Sequence, residues 1–295
     1  MDVAHTDTAA SISLNNILGD VIIVAEAELN THTIDYSNIE SNCVESSNTA
    51  TEITHGETYV TTLSKKEGYA TLGAGNVTVG GVQRDSWNEM SGNKQISVVA
   101  DGDIVITAAC GTLEEYPVTL SAEGCVIMTS PAGPNPTVTR GDSVTITLEP
   151  ASGYTNIGPG NIKVGGTTKD SWNTKVSSRT KTLTNVTGPV VITVIGCGDL
   201  EKYTITLHAE GCVSMSPASG TEVERGSTAN ITLSPTIGYN TVGAGYVTVN
   251  GVHLSDKDWG AGSSEVELQL TNVDGNIEVY ADCGALNEYT ITYKY

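Results

Sequence analysis

Phenylalanine is absent from this chain, and basic residues are scarce: 14 Lys and Arg stand against 34 Asp and Glu, for a formal net charge of −20. A phosphate backbone is recognised by clustered Lys and Arg, so this deficit argues against nucleic acid as a partner. The acid is scattered, which reads as a solvated surface. Long apolar runs are missing as well. A membrane helix needs about 20 consecutive apolar residues, whereas the most apolar early stretch, Val21 to Ala25, has a strand's length and follows Asp20. No membrane span is expected. The opening MDVAHTDTAAS has neither the basic start nor the apolar core of a secretion signal. The expectation is a chain used without that export route, or one whose leader preceded this Met. There is no Cys-x-x-Cys, and His5, His32, His55, His208 and His253 show no ligand spacing, so neither metal nor cofactor is expected. Gly-x-Ser-x-Gly is also lacking, no His accompanies a recurring Ser and Asp, and the pair Glu114-Glu115 falls in a linker. The chain is therefore read as a non-enzyme.

What is abundant is Thr, Val, Ile, Ser, Asn and Gly, the chemistry of strands and turns, and no segment carries a helical period. The expected class is all-β. Self-similarity organises the chain. EGYATLGAGNVTVGGV around Gly68, SGYTNIGPGNIKVGGT around Gly153 and IGYNTVGAGYVTVNGV around Gly238 recur at intervals of 85 residues, the length of a small domain. Trp87 and Trp172 keep that interval and Trp259 falls two residues late. Each unit opens with a strand and a Cys (Tyr116 to Cys125, Tyr203 to Cys212) and continues with a strand after a Gly turn. It closes on what reads as a hairpin, KTLTNVTGPVVITVIGC or ELQLTNVDGNIEVYADC. Period-2 alternation is clear in Thr145-Ile146-Thr147-Leu148 and Val247-Thr248-Val249. Asp101-Gly102, Asn250-Gly251 and Asp274-Gly275 fall between strands and favour tight hairpins. The architecture predicted is three tandem small β-sandwich or β-grasp-like repeats, at 31–115, 116–202 and 203–288, joined by short polar linkers.

Cysteines fall one pair per copy: Cys43 and Cys110, Cys125 and Cys197, Cys212 and Cys283. If the first and last strands of a copy run parallel, both cysteines lie at one end within disulfide reach. Pairing Cys110 with Cys125 is worse, because the opening strand carries Cys125 about 30 Å from its start. The alternative, six reduced buried thiols, stays open at this level.

The flanks are fragments of the same unit. Residues 11–27, SISLNNILGDVIIVAEA, align without a gap onto Glu267 to Cys283, with Ala27 in place of the Cys. Residues 1–30 thus read as a partial repeat, an orphan β-hairpin. Residues 289–295, YTITYKY, reproduce an opening strand. Lone hairpins and strands invite edge pairing. The candidates for self-assembly are Ile12, Leu14, Val21, Ile23, Tyr289, Ile291 and Tyr293, either by adding the strand of one subunit to the hairpin of the next or by capping neighbouring repeats.

The Gly-rich strings lead into strands rather than helices, so they read as turns rather than phosphate loops. Asp85, Asp170, Asp256 and Asp258 near the tryptophans offer a second-rank Ca²⁺ or glycan site with Trp87, Trp172 or Trp259 as platform. The first reading is that each Trp fills a core or interdomain gap.

Tyr-Thr-Ile-Thr-Leu, Ser216 to Gly220, the Gly-led strand Gly226 to Pro235, the Gly-Tyr pair and Val249 to Gly251 together resemble the divergent internalin-B-type bacterial repeats. The resemblance covers nearly the whole chain and implies stalk, spacer or display modules on bacterial surfaces and in phage structural proteins. The paired cysteines and the Asp-Ser-Trp-Asn string depart from that pattern. The function expected is a non-enzymatic structural or surface-display protein. Its first form is a phage virion component, a capsid decoration or a head or tail fibre subunit. Its alternative is a bacterial cell-surface or extracellular filament or adhesin subunit joined head to tail by strand addition. Expected partners are the chain itself, other virion or surface proteins, or a host glycan.

Overall fold

The computed structural model describes residues 12–24 and 30–294. Copy 1 comprises β1 (Thr31–Ile39), β2 (Val44–Ser46), β3 (Glu52–Thr54), β4 (Thr58–Lys65), β5 (Leu72–Val79), β6 (Val82–Trp87), β7 (Lys94–Val99) and β8 (Ile104–Cys110). Copy 2 comprises β9 (Glu115–Ser121), β10 (Val126–Ser130), β11 (Thr137–Thr139), β12 (Val144–Pro150), β13 (Gly160–Val164), β14 (Thr167–Trp172), β15 (Arg179–Leu183) and β16 (Val190–Val194). Copy 3 comprises β17 (Lys202–His208), β18 (Val213–Ser216), β19 (Glu222–Glu224), β20 (Ala229–Pro235), β21 (Val242–Val249), β22 (Val252–His253), β23 (Val266–Leu270) and β24 (Ile277–Cys283). Adding eight to a strand number gives its equivalent in the next copy. By internal packing the chain forms two compact units, one ending at Leu113 and holding copy 1, the other starting at Glu114 and holding copies 2 and 3.

Every copy is a β-sandwich of a five-stranded and a three-stranded sheet. In copy 2 the orders are β11-β9-β16-β13-β14 and β10-β12-β15, and copies 1 and 3 repeat them. No α-helix occurs among the described residues, which rules out a β-grasp arrangement; one 3₁₀ turn spans Ser255–Lys257. The alternation seen in the sequence is the pleat: Val144, Ile146 and Leu148 of β12 face Val190, Ile192 and Val194 of β16 in one buried cluster. Copy 3 builds its own core from Ile231, Leu233, Val247, Ile277 and Val279, and copy 1 from Leu63, Leu72, Ile96, Ile104 and Ile106.

First and last strands pair in parallel in all three copies, as Ile34↔Ile104, Val118↔Val190 and Ile205↔Ile277. The closing hairpin, in contrast, does not exist. β15 pairs with β12 in the small sheet, while β16 lies between β9 and β13 in the large one. The connection instead crosses the end of the sandwich, with Val186 or Val273 turned into the core as its plug. Asp101-Gly102 and Asp274-Gly275 sit on such crossings, whereas Asn250-Gly251 is a true two-residue turn, joining Val249 directly to Val252.

This revises the fragment at the N-terminal flank. Residues 12–24 form no strand, and neither do 289–294. The physical reason lies in the complete copies: strands equivalent to β7 and β8 belong to opposite sheets, so two of them alone share no ladder. Ser11, residues 25–27 including Ala27, and Tyr295 lie outside the described residues.

Candidate functional site

The tryptophans dock on the glycine strings. In copy 2 the Trp172 indole N–H donates to Gly158 O at 2.7 Å, and its ring lies over Gly160, where an added Cβ would come within 2.5 Å of the ring. Trp87 does the same on Gly73 and Gly75, and Trp259 on Gly243 and Gly245. The Gly-x-Gly strings are thus indole seats, one glycine giving its carbonyl and the other its bare face. Trp172 is 6% exposed and belongs to the core.

The neighbouring carboxylates are already engaged. Asp170 takes two hydrogen bonds from Arg179, at 2.5 and 2.8 Å, and the guanidinium lies 5.5 Å from the Trp172 ring centroid. Lys94 stands in the same way between Asp85, at 2.8 Å, and Trp87, at 5.5 Å. The cation comes from the three-stranded sheet and the Asp and Trp from the edge of the five-stranded one, so the cluster clasps the open side of the sandwich. Hydrogen bonding from Arg179 holds the Asp170 carboxyl below the usual carboxylate range. In copy 3 the equivalent of Arg179 is the buried Val266, and Asp256 and Asp258 turn to Lys257 and His253.

The cysteines are bridged within copies: Cys43–Cys110, Cys125–Cys197 and Cys212–Cys283, with Cα atoms 5.4, 5.5 and 5.4 Å apart. Parallel pairing of first and last strands brings both sulfurs to one end. Glu40 and Glu123 lie beside the first two bridges, but the sulfurs are consumed in them and offer no thiolate to a metal. The self-assembly candidates Ile12, Leu14, Val21, Ile23, Tyr289, Ile291 and Tyr293 are all exposed, and the structure brings none of them into a ladder.

One arrangement went unread in the sequence. On the outer face of the third copy's five-stranded sheet four rings stand in a row across four strands: His208 on β17, Tyr280 on β24, Tyr246 on β21 and His253 on β22. His208 stacks on Tyr280 with centroids 4.4 Å apart, Tyr280 on Tyr246 at 4.7 Å, and His253 meets Tyr246 edgewise at 5.1 Å. Tyr280 donates its hydroxyl to Glu278 at 2.8 Å, and Asp258 holds His253 Nε2 at 2.7 Å. The ladders put Ser121, Thr193, Asn161 and Thr168 at these places in copy 2, and Asn38, Thr107, Asn76 and Gln83 in copy 1. The signal was available as a departure from the repeat, GAGYVTV against GAGNVTV and GPGNIKV.

No protein-family model matches the chain, and no curated protein matches it in sequence. A solved structure of a 1.5-MDa bacterial ice-binding adhesin, concerned with its host cell surface retention, aligns over 89% of this chain and 100% of that chain. Identity is 10% and the TM-score 0.16, too slight a likeness to carry an argument.

Proposed function

We propose that this chain is a non-enzymatic structural or display protein working outside the reducing cytoplasm. The observation that carries the reading is the bridge in each tandem copy, since disulfides persist in oxidising surroundings and staple domains with small cores. The scattered negative charge supports it, keeping a repetitive β surface soluble. Fractionation of the producing cells or particles, with thiol counting by mass spectrometry, tests it. Recovery from an extracellular or particle fraction with no free thiol is expected; a cytoplasmic protein with six free thiols would overturn it.

The finer form of the proposal is a virion component, a capsid decoration or fibre subunit; immunogold labelling of particles is its test, and unlabelled particles would sink it. A second reading, a bacterial surface filament subunit, is favoured by the exposed apolar side chains of 12–24 and 289–294. Following the Ile205↔Ile277 register, Ile291 of one subunit would lie opposite Val21 of the next. Deleting residues 289–295 should then reduce the size seen by light scattering; an unchanged size excludes strand addition.

A further inference from the structure

The aromatic row has no counterpart in copies 1 and 2, and the fold does not need it, because Asn, Thr and Ser occupy the same ladder positions there. Its rings are held in place: Tyr280 by Glu278 and by both stacking neighbours, His253 by Asp258. Two shallow depressions flank it. One, of about 310 Å³, is lined by Tyr246, His253, Asp258, Trp259, Tyr280 and Asp282 among others; the second is lined by His208, Glu210 and Asp282. Asp282 belongs to both, and copies 1 and 2 have Ala109 and Ile195 at its place. Among the described residues neither depression has a Lys or Arg in its lining, while three carboxylates line the pair.

We propose that this face docks a basic peptide segment of a partner protein, with an Arg or Lys side chain seated at Asp282. Three observations converge. First, stacked Tyr and His form a rigid apolar ridge with hydroxyl tips, the side-chain type that anchors protein interfaces at low entropic cost. Second, Asp258 and Glu278 are spent on the rings, whereas Asp282 stands between both depressions as the acceptor for an incoming donor. Third, the absence of lining cations in a chain of net charge −20 repels anions and steers cations to the face. Tyr280 stacks on both sides, whereas His208 ends the row and lines a depression with Glu210 and Asp282, where a planar guanidinium would find both a ring and carboxylates.

The test is titration of the full chain with fluorescently labelled hexa-arginine, read by anisotropy. Tyr246→Asn with Tyr280→Thr installs the residues of copy 2, keeps the fold and changes no charge, so a general attraction of peptide to an acidic protein survives it. Asp282→Asn removes the seat, and Glu52→Gln on copy 1 removes one charge elsewhere. Expected are losses of roughly tenfold for the first two variants and little change for Glu52→Gln. Equal affinity for wild type and Y246N/Y280T, or a D282N effect no larger than that of E52Q, overturns the proposal. So does binding of neutral cellohexaose that Y246N/Y280T abolishes while hexa-arginine is unaffected, which would make the face a glycan site.

Discussion

At the residue scale, the recurring Gly-x-Gly and Trp are one device written in two places, and each half explains the other. Gly160→Ala drives a methyl into the Trp172 ring and the Thr193 carbonyl. The expected loss is about 1–3 kcal/mol from copy 2, read as an earlier denaturant transition in tryptophan fluorescence; an unchanged midpoint would refute the docking. The clasp beside it makes a pH prediction. Arg179 lowers the folded value of Asp170, so the pair's contribution is present in full above the unfolded carboxylate value near 4. It is lost as pH falls through the lower folded value, because the unfolded chain then binds the proton first. Asp35, Glu89 and Asp103 of copy 1 and Asp199 of copy 2 are lowered too, through hydrogen bonds, so acid sensitivity should be shared between these two copies. Asp170→Asn should flatten the acid limb of copy 2 stability in denaturant melts at pH 2–5, and an unaltered limb would contradict the assignment. In copy 1 burial and the Tyr59 hydroxyl, 2.7 Å away, raise the Tyr36 phenol. Stability there is full below the ordinary tyrosine value near 10 and declines above it, where the unfolded phenol ionises first.

Strands and bridges obey rules that were partly visible in the chain. The repeat, the all-β class and the buried alternation followed from Ile146 and Leu148 or Val247 and Val249, because a period of two survives whichever sheet a strand joins. The partner of a strand does not follow from that period. Asp274-Gly275 carries the same turn chemistry as Asn250-Gly251, yet six residues separate Leu270 from Ile277 and the Val273 among them is buried, which makes a crossing between sheets rather than a hairpin. Three short strands of each copy, such as β2, β3 and β6, escaped because they lie at sheet edges with little apolar content. The aromatic row was hidden for another reason: its members lie far apart in sequence and meet only through ladder register. Bridges between first and last strands close loops with sequence separations of 67, 72 and 71 residues. Chain entropy then assigns each about 4 kcal/mol. Replacing Cys212 and Cys283 by Ala should lower copy 3 by that order while leaving the core of copy 2 intact, as hydrogen exchange resolved by copy would show.

At the scale of the molecule, the linker between copies 2 and 3 is docked rather than free. Glu201 N–H donates to Gly153 O, Arg225 N–H donates to Glu201 O, and the Arg225 guanidinium reaches Ser152 and Glu201 at 3.3 and 3.4 Å. Gly153 sits against that guanidinium, in a turn with φ of +96°. Arg225→Ala should therefore raise proteolysis at Lys202 without lowering the stability of either copy, and equal cleavage rates would argue against a fixed junction. After copy 3 the linker docks in the same way, Asn287 N–H on Gly238 O. The placement of the bridges has a mechanical consequence. A pull entering copy 2 at β9 and leaving after β16 passes through Cys125 and Cys197, so the residues between them are shielded from the load. Single-molecule stretching of the oxidised chain should show copies that give up little length before the tether breaks, and reduction should free roughly 250 Å per copy. Equal lengthening with and without reductant would contradict this. Intact, each copy should act as a nearly inextensible link, its reach under tension set by the bridge rather than by the strength of its sheets.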